Sequence, residues 1–272
     1  MTLAALAARL RTGELSPSEA TADALARIES LDGALNAFLH VRGEEALAEA
    51  AALERTGERG SLYGVPVAVK DVIDVAGAPT TAASRILAEN VAAADEAVVA
   101  GLRRAGAVIV GKLNTHEFAY GAMTTSPHFG PARNPWDTTR ICGGSSGGSG
   151  AAAAAGLVPG TLGTDTGGSV RIPACLCGVT GLRPSTGRVS NRGVVPVSWT
   201  FDTVGPIARS AEDCALLLEA IAGHDPADPT TVDAPVPRYA AELDGGVAGL
   251  RLGVVRARFE RDVDARVASA VA

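Results

Sequence analysis

Two short β-rich apolar runs, Val65 to Val69 and Ala107 to Val110, flank a stretch at 92–105 with helical character that ends near Gly106. That order constrains the fold more than any other feature. Strands alternating with helices indicate an α/β layered architecture. Residues 162–164, 178–180 and 250–255 offer further short strands, and 210–222 a helix opened by Ser210 with Glu212 and Asp213 in its first turn. Before the first strand the chain is helical. Residues 3–10 are amphipathic, and Ser16-Pro17-Ser18-Glu19 is a capping box with proline at the first helical position, starting a helix that should run to about Leu31. Residues 43–56 form another. With 47% hydrophobic residues in 272, the chain can bury a substantial core. The Pro- and Asp-rich stretch 223–237 reads as a surface loop. The C-terminal residues read as a strand, a loop and a helix that stops at residue 272 without a cap, as in a fragment.

The first run ends in GVPVAVKD, and its charged residue is Lys70. Only Lys70 and Lys112 are lysines; the other 22 basic residues are arginines. Arginine stays protonated in a protein, whereas a buried lysine can lose its proton and serve as a base. The local stretch alone favours a strand end that reaches solvent.

Residues 142–150 read CGGSSGGSG and run into five alanines. A glycine-rich loop therefore feeds a helix N-terminus, where free N–H groups and the dipole favour negative charge. Gly143-Gly144-Ser145-Ser146-Gly147 fits the G-x-S-x-G elbow, but the preceding RNPWDTTRIC is not expected to be the strand that motif requires. Gly148 to Ala153 fits a dinucleotide fingerprint, and Gly106 to Lys112 most of a phosphate-binding loop. The first lacks its strand and its distal acid, and the second has Leu113 where Ser or Thr is required. In GTDTGGSVRIP, residues 163–173, the amides of Thr166, Gly167, Gly168 and Ser169 can converge on one oxyanion; the same residues fit a β-turn with a capping serine.

Net charge is −6, so no bulk basic surface serves nucleic acid, and aromatics are only 4%. No stretch is long and apolar enough to span a membrane. Cys142, Cys175, Cys177 and Cys214 lack zinc-ligand spacing and read as small buried hydrophobes in a reducing compartment. A cytoplasmic protein without metal or cofactor is expected.

The order Lys70, GGSSGG, DTGGSVRIP closely resembles the amidase signature family. The likeness extends to GKLNTHEFAYG before the serines and to CGVTGLRPSTGRVS and the segment around FDTVGPIARSAED after them; Gly143 to Ala174 matches the family pattern at every fixed position. The resemblance implies a mixed β-sheet covered by helices on both faces. It makes residues 1–272 the N-terminal part of a single domain, with a helical segment 1–60, a catalytic core 61–222, and a loop with the start of a C-terminal part at 223–272. It implies a Ser–Ser–Lys triad: Ser169 as nucleophile, Ser145 as bridging serine after a cis bond from Gly144, and Lys70 as base. Thr166, Gly167, Gly168 and Ser169 would form the oxyanion hole. Ser146 and Arg171 would support the site by hydrogen bonding, and Asp165 would orient the loop. The chemistry is coherent on its own terms. A serine hydroxyl needs a base, and none of His40, His116, His128 and His224 falls in the two serine-bearing loops or beside Lys70.

Two activities compete. One is hydrolysis of a small carboxylic amide. The other is glutamine hydrolysis by the amidase component of a tRNA-dependent amidotransferase, working with partner subunits. Members of the second group usually carry Gln where this chain has Ile172, a departure that favours the first. A homodimer stays open. Family members are considerably longer, so a truncated, impaired fragment is a third expectation.

Overall fold

The computed structural model describes residues 1–57, 59–251, 253 and 263–271. Residues Met1–Ala240 form one compact unit and Ala241–Ala272 a second. In the second, a helix spans Ala265–Val271. The strand expected at 250–255 falls largely outside the described residues.

The first unit is built on a six-stranded mixed sheet. Its strands are β1 (Phe38–Val41), β2 (Pro66–Lys70), β3 (Val108–Leu113), β6 (Gly160–Asp165), β7 (Thr180–Gly181) and β8 (Thr203–Ala208), in the order β1-β3-β2-β6-β8-β7. β3, β2 and β6 are parallel, and the outer pairings are antiparallel. β2 is buried at every position, as expected of a strand covered on both faces. Its side chains divide by the period-two rule. Val67 and Val69, with Ile109 of β3, pack against α1 (Leu3–Thr12), α4 (Ala97–Arg104) and α7 (Ala211–Ile221). Ala68, with Val108 and Val110, packs against α2 (Pro17–Leu35), α3 (Gly43–Thr56) and α5 (Gly147–Ala155). The mixed sheet between two helical layers agrees with the sequence expectation.

Several boundaries moved for identifiable reasons. The capping box forms at Ser16 and Glu19, but α2 runs four residues past Leu31 to Leu35. Asn36 closes it at φ 51°, and the Asp32 carboxylate accepts the Ala37 and Phe38 amides and turns the chain into β1. α4 starts at Ala97, not 92, because Asp95 is held elsewhere: it accepts the Ala76 amide and pairs with Arg103. One expectation is overturned. Residues 137–141 of RNPWDTTRIC are a strand, β5 (Asp137–Ile141), paired with β4 (Arg133–Asn134) in a separate two-stranded sheet. Every β5 side chain is exposed, so no apolar alternation marked it. The cysteine expectation needs one correction: Cys142, Cys177 and Cys214 are buried, but Cys175 lies exposed on α6 (Arg171–Cys177).

α5 begins inside the glycine-serine run rather than at the alanines. Those glycines are there for close approach. A Cβ on Gly148 would lie 2.5 Å from the Asn114 amide nitrogen, and one on Gly147 would collide with the Thr124 side chain. The main chain at Ala37 and Asn114 and the Thr124 side chain thereby close in around the first turn of α5.

Candidate active site

The carboxyl ends of parallel strands, where open α/β sheets collect ligands, bring the sequence-predicted residues together. Lys70 ends β2, and Thr164 and Asp165 end its neighbour β6. The segment 143–146 enters α5 above them, and the loop 166–170 joins β6 to α6.

Lys70 is fully buried. Its Nζ lies 2.6 Å from Ser145 Oγ and 2.8 Å from Thr164 Oγ1. Its direct partners among the described residues are therefore neutral hydroxyls. Burial pushes its pKa from the usual 10.5 down to about 7, against the pull of the Asp202 and Asp165 carboxylates. Lys112, the other lysine, is also buried, but its Nζ meets the Asp71 carboxylate at 2.9 Å, with the Pro79 carbonyl at 2.6 Å and Thr80 Oγ1 at 2.9 Å. The register slips by one residue between Val67 and Ala68, so Lys112 stands beside Val69 and Lys70 beside Leu113. The two amines thus point to opposite faces of the sheet.

The Gly144–Ser145 peptide bond is cis. The Ser145 carbonyl accepts the His116 amide at 3.0 Å and lies 3.2 Å from Thr124 Oγ1. Thr124 sits at φ 53°, a left-handed conformation that costs a non-glycine residue about 1–3 kcal/mol. Its hydroxyl donates to the Gly143 carbonyl and accepts the Gly147 amide, which holds it there. Ser146 is a brace. Its Oγ donates to the Thr164 carbonyl and accepts the Thr164 amide, both at 3.2 Å, and its own amide donates to the Ser169 carbonyl at 3.2 Å. Ser169 is joined to the Ser145–Ser146 pair through this main-chain link. Its side chain is half-buried, and its Oγ makes no hydrogen bond among the described residues.

Asp165 organises the second loop. Its buried carboxylate accepts the amides of Gly168 (2.7 Å), Val170 (3.1 Å) and Arg171 (3.4 Å), and the Arg171 guanidinium engages both oxygens at 3.0 and 2.9 Å. Burial pushes the Asp165 carboxyl up, but Arg171 and these amides outweigh it and hold it below the usual carboxylate range. Of the four amides predicted to face an oxyanion, that of Gly168 is engaged by Asp165. Those of Thr166, Gly167 and Ser169 make no hydrogen bond among the described residues, and Gly167 is exposed.

Sequence reasoning did not single out Thr164, Thr124, Arg183 or Asp202. Thr164 lies inside the quoted GTDTGGSVRIP, but a threonine in a strand reads first as a β-former. Arg183 lies 3.5 Å from Asp165, and Asp202 accepts the Thr166 hydroxyl; both come from segments distant in sequence.

The family model described as Amidase matches residues 19–272. The A subunit of the glutamyl-tRNA(Gln) amidotransferase of Chromohalobacter salexigens is 50% identical over 273 residues, covering 99% of this chain and 56% of its own length. A solved chain from a vestigial protein complex, reported to reveal the evolutionary origins of an s-triazine catabolic enzyme, is 46% identical with a TM-score of 0.90, over 92% of this chain and 56% of its own. The native peptide amidase of Stenotrophomonas maltophilia is 40% identical with a TM-score of 0.84, over 89% and 53%. The chain thus spans about half the length of the relatives it matches.

Proposed function

The chain belongs to the amidase family, and from that premise we propose that it cleaves a carboxylic amide C–N bond through a Ser169–Ser145–Lys70 triad and an acyl-enzyme. One observation carries the reading: a fully buried lysine, poised near neutrality, with its amine 2.6 Å from the Ser145 hydroxyl and, among the described residues, no carboxylate in direct contact. In its neutral form Lys70 takes the Ser145 proton as Ser145 takes that of Ser169, and the Ser169 oxygen attacks the amide carbon. The free amides of Thr166, Gly167 and Ser169 face the developing oxyanion; one such donor contributes about 3 kcal/mol. Gly168, whose amide serves Asp165, shapes the loop instead. The proton returns through Ser145 to the leaving nitrogen, and water then cleaves the ester by the same relay.

A fluorophosphonate that phosphonylates activated serines tests this. The wild-type chain should label at one site and Ser169→Ala should not. Labelling that survives in Ser169→Ala overturns the assignment of the nucleophile. A second reading is supported by the 50% identity to an amidotransferase component: glutamine as substrate, with the ammonia passed to partner proteins. The same triad serves both. Glutamine hydrolysis that rises on adding such partners would decide for the second. Ile172, whose amide donates to the Gly168 carbonyl at 2.7 Å, sits where the choice would be made.

A further inference from the structure

The loop 197–202 carries two aromatic side chains into solvent, Trp199 at 78% exposure and Phe201 at 60%, yet it ends on a carboxylate, Asp202, that is almost fully buried. That carboxylate divides its two oxygens. Oδ2 accepts the Val197 and Ser198 amides at 2.8 and 2.9 Å and so closes the aromatic loop on itself. Oδ1 accepts the hydroxyl of Thr166. The placement follows from the sheet. β6 and β8 are antiparallel with Asp165 opposite Thr203 at the end of the ladder, so Thr166 and Asp202 are the next facing pair, joined by side chains where the main-chain ladder stops. A second tie runs parallel to the first. The Arg183 guanidinium donates to the Phe201 carbonyl at 2.9 Å and reaches the Asp165 carboxylate at 3.5 Å. The Asp202 carbonyl in turn accepts the Asn191 side-chain amide at 2.8 Å.

We infer that Asp202 is a positioning residue for the amide-cleaving reaction: it couples the seating of the Trp199–Phe201 loop to the orientation of the Thr166 amide in the oxyanion hole. The inference rests on the serine-hydrolase reading above. Thr166 begins the turn after β6 and has no main-chain partner among the described residues, whereas Asp165 fixes the rest of the turn through Gly168, Val170 and Arg171. Its hydroxyl bond to Asp202 sets where its N–H points. An acyl group resting on Trp199 or Phe201 is thereby tied to the donor its carbonyl oxygen must reach.

The test is the rate of fluorophosphonate labelling across pH. Asp202→Asn keeps the size but cannot accept from both Thr166 and the two loop amides with the same oxygens. It should slow labelling about 10–100-fold, the scale of a misplaced reacting group. Thr166→Val should slow it as much, Thr166→Ser should restore it, and the double variant Asp202→Asn/Thr166→Val should fall no further than either single. A merely structural role would lower the melting temperature of Asp202→Asn without the matching loss in Thr166→Val and its rescue by Thr166→Ser. Among the described residues, the charged and titratable groups around Lys70 are Asp202, Asp165 with its partners Arg171 and Arg183, and the His116 ring. Removing the Asp202 charge should therefore shift the acid limb to lower pH. If Asp202→Asn does not fold, the Thr166→Val and Thr166→Ser pair decides alone. Wild-type rates in these variants overturn the inference while the hydrolase reading stands. A wild-type chain that labels at no pH removes both.

Discussion

A lysine can act as a base near neutrality only if something removes its proton more cheaply than water does. At position 70 that agent is burial, and its effect is limited by what surrounds the amine. A direct carboxylate would restore the ammonium; hydroxyls at 2.6 and 2.8 Å leave the neutral form accessible. Labelling of Ser169 should therefore rise with pH about a midpoint near 7, because the ammonium that dominates below it cannot accept a proton. Lys70→Ala should slow labelling by at least about 10²-fold, the contribution of a general base, and Lys70→Arg should not restore it. Thr164 refines the point. Its hydroxyl accepts from Lys70 and so favours the charged form. Thr164→Val should move the midpoint to lower pH by about one unit, measured in the same labelling series. A midpoint that stays in place would mean Thr164 has no part in the titration.

At the scale of elements, glycines in two helices make opposite predictions. Gly33 lies inside α2 with nothing within 4 Å of where a Cβ would stand. Gly33→Ala should gain about 1 kcal/mol from helix propensity alone. Gly148 lies inside α5, and its Cβ would meet the Asn114 main chain, which cannot rotate away. There the overpacking cost of about 1–3 kcal/mol outweighs propensity, and Gly148→Ala should lower the melting temperature by roughly 2–8 °C in a calorimetric scan. The same contrast explains what was legible beforehand. The strands β2 and β3 and the helices α1, α2, α3 and α7 could be read because their residues obey local rules of periodicity and capping. β8 could not, because Gly205 and Pro206 interrupt it; it pairs across Pro206 only because β7 has already ended and Leu182 takes the Pro206 carbonyl. β1 is four residues long, and β5 is polar throughout. The partners of Lys70 split the same way. Ser145 was visible as part of a motif, whereas Thr164 and Asp202 acquire their place only when β6 meets β2 and β8.

For the whole molecule, the two lysines test what the sheet does with a buried charge. They stand on adjacent strands, point to opposite faces and are both fully buried, yet they should respond to the same substitution in opposite ways. Lys112 and Asp71 are a pair. Lys112→Met leaves the Asp71 carboxylate buried without its cation, a loss on the scale of about 3–5 kcal/mol. Among the described residues Lys70 has no such partner. Its pKa is about 7 in the folded chain and that of ordinary lysine, 10.5, when unfolded. Between those values the unfolded chain binds more protons than the folded one, so stability rises with pH across that window, and below pH 7 the fold carries the full cost of holding an ammonium in its interior. Lys70→Met should therefore be more stable than wild type at about pH 6 by an amount on the order of a few kcal/mol, and melt higher, with the gap closing as pH approaches 10.5. Melting curves of the two variants and wild type at about pH 6, 8 and 10 would show it. A Lys70→Met chain less stable than wild type at the acid end would mean that the lysine contributes to the fold rather than being imposed on it, and the base assigned to this site would have to be sought elsewhere.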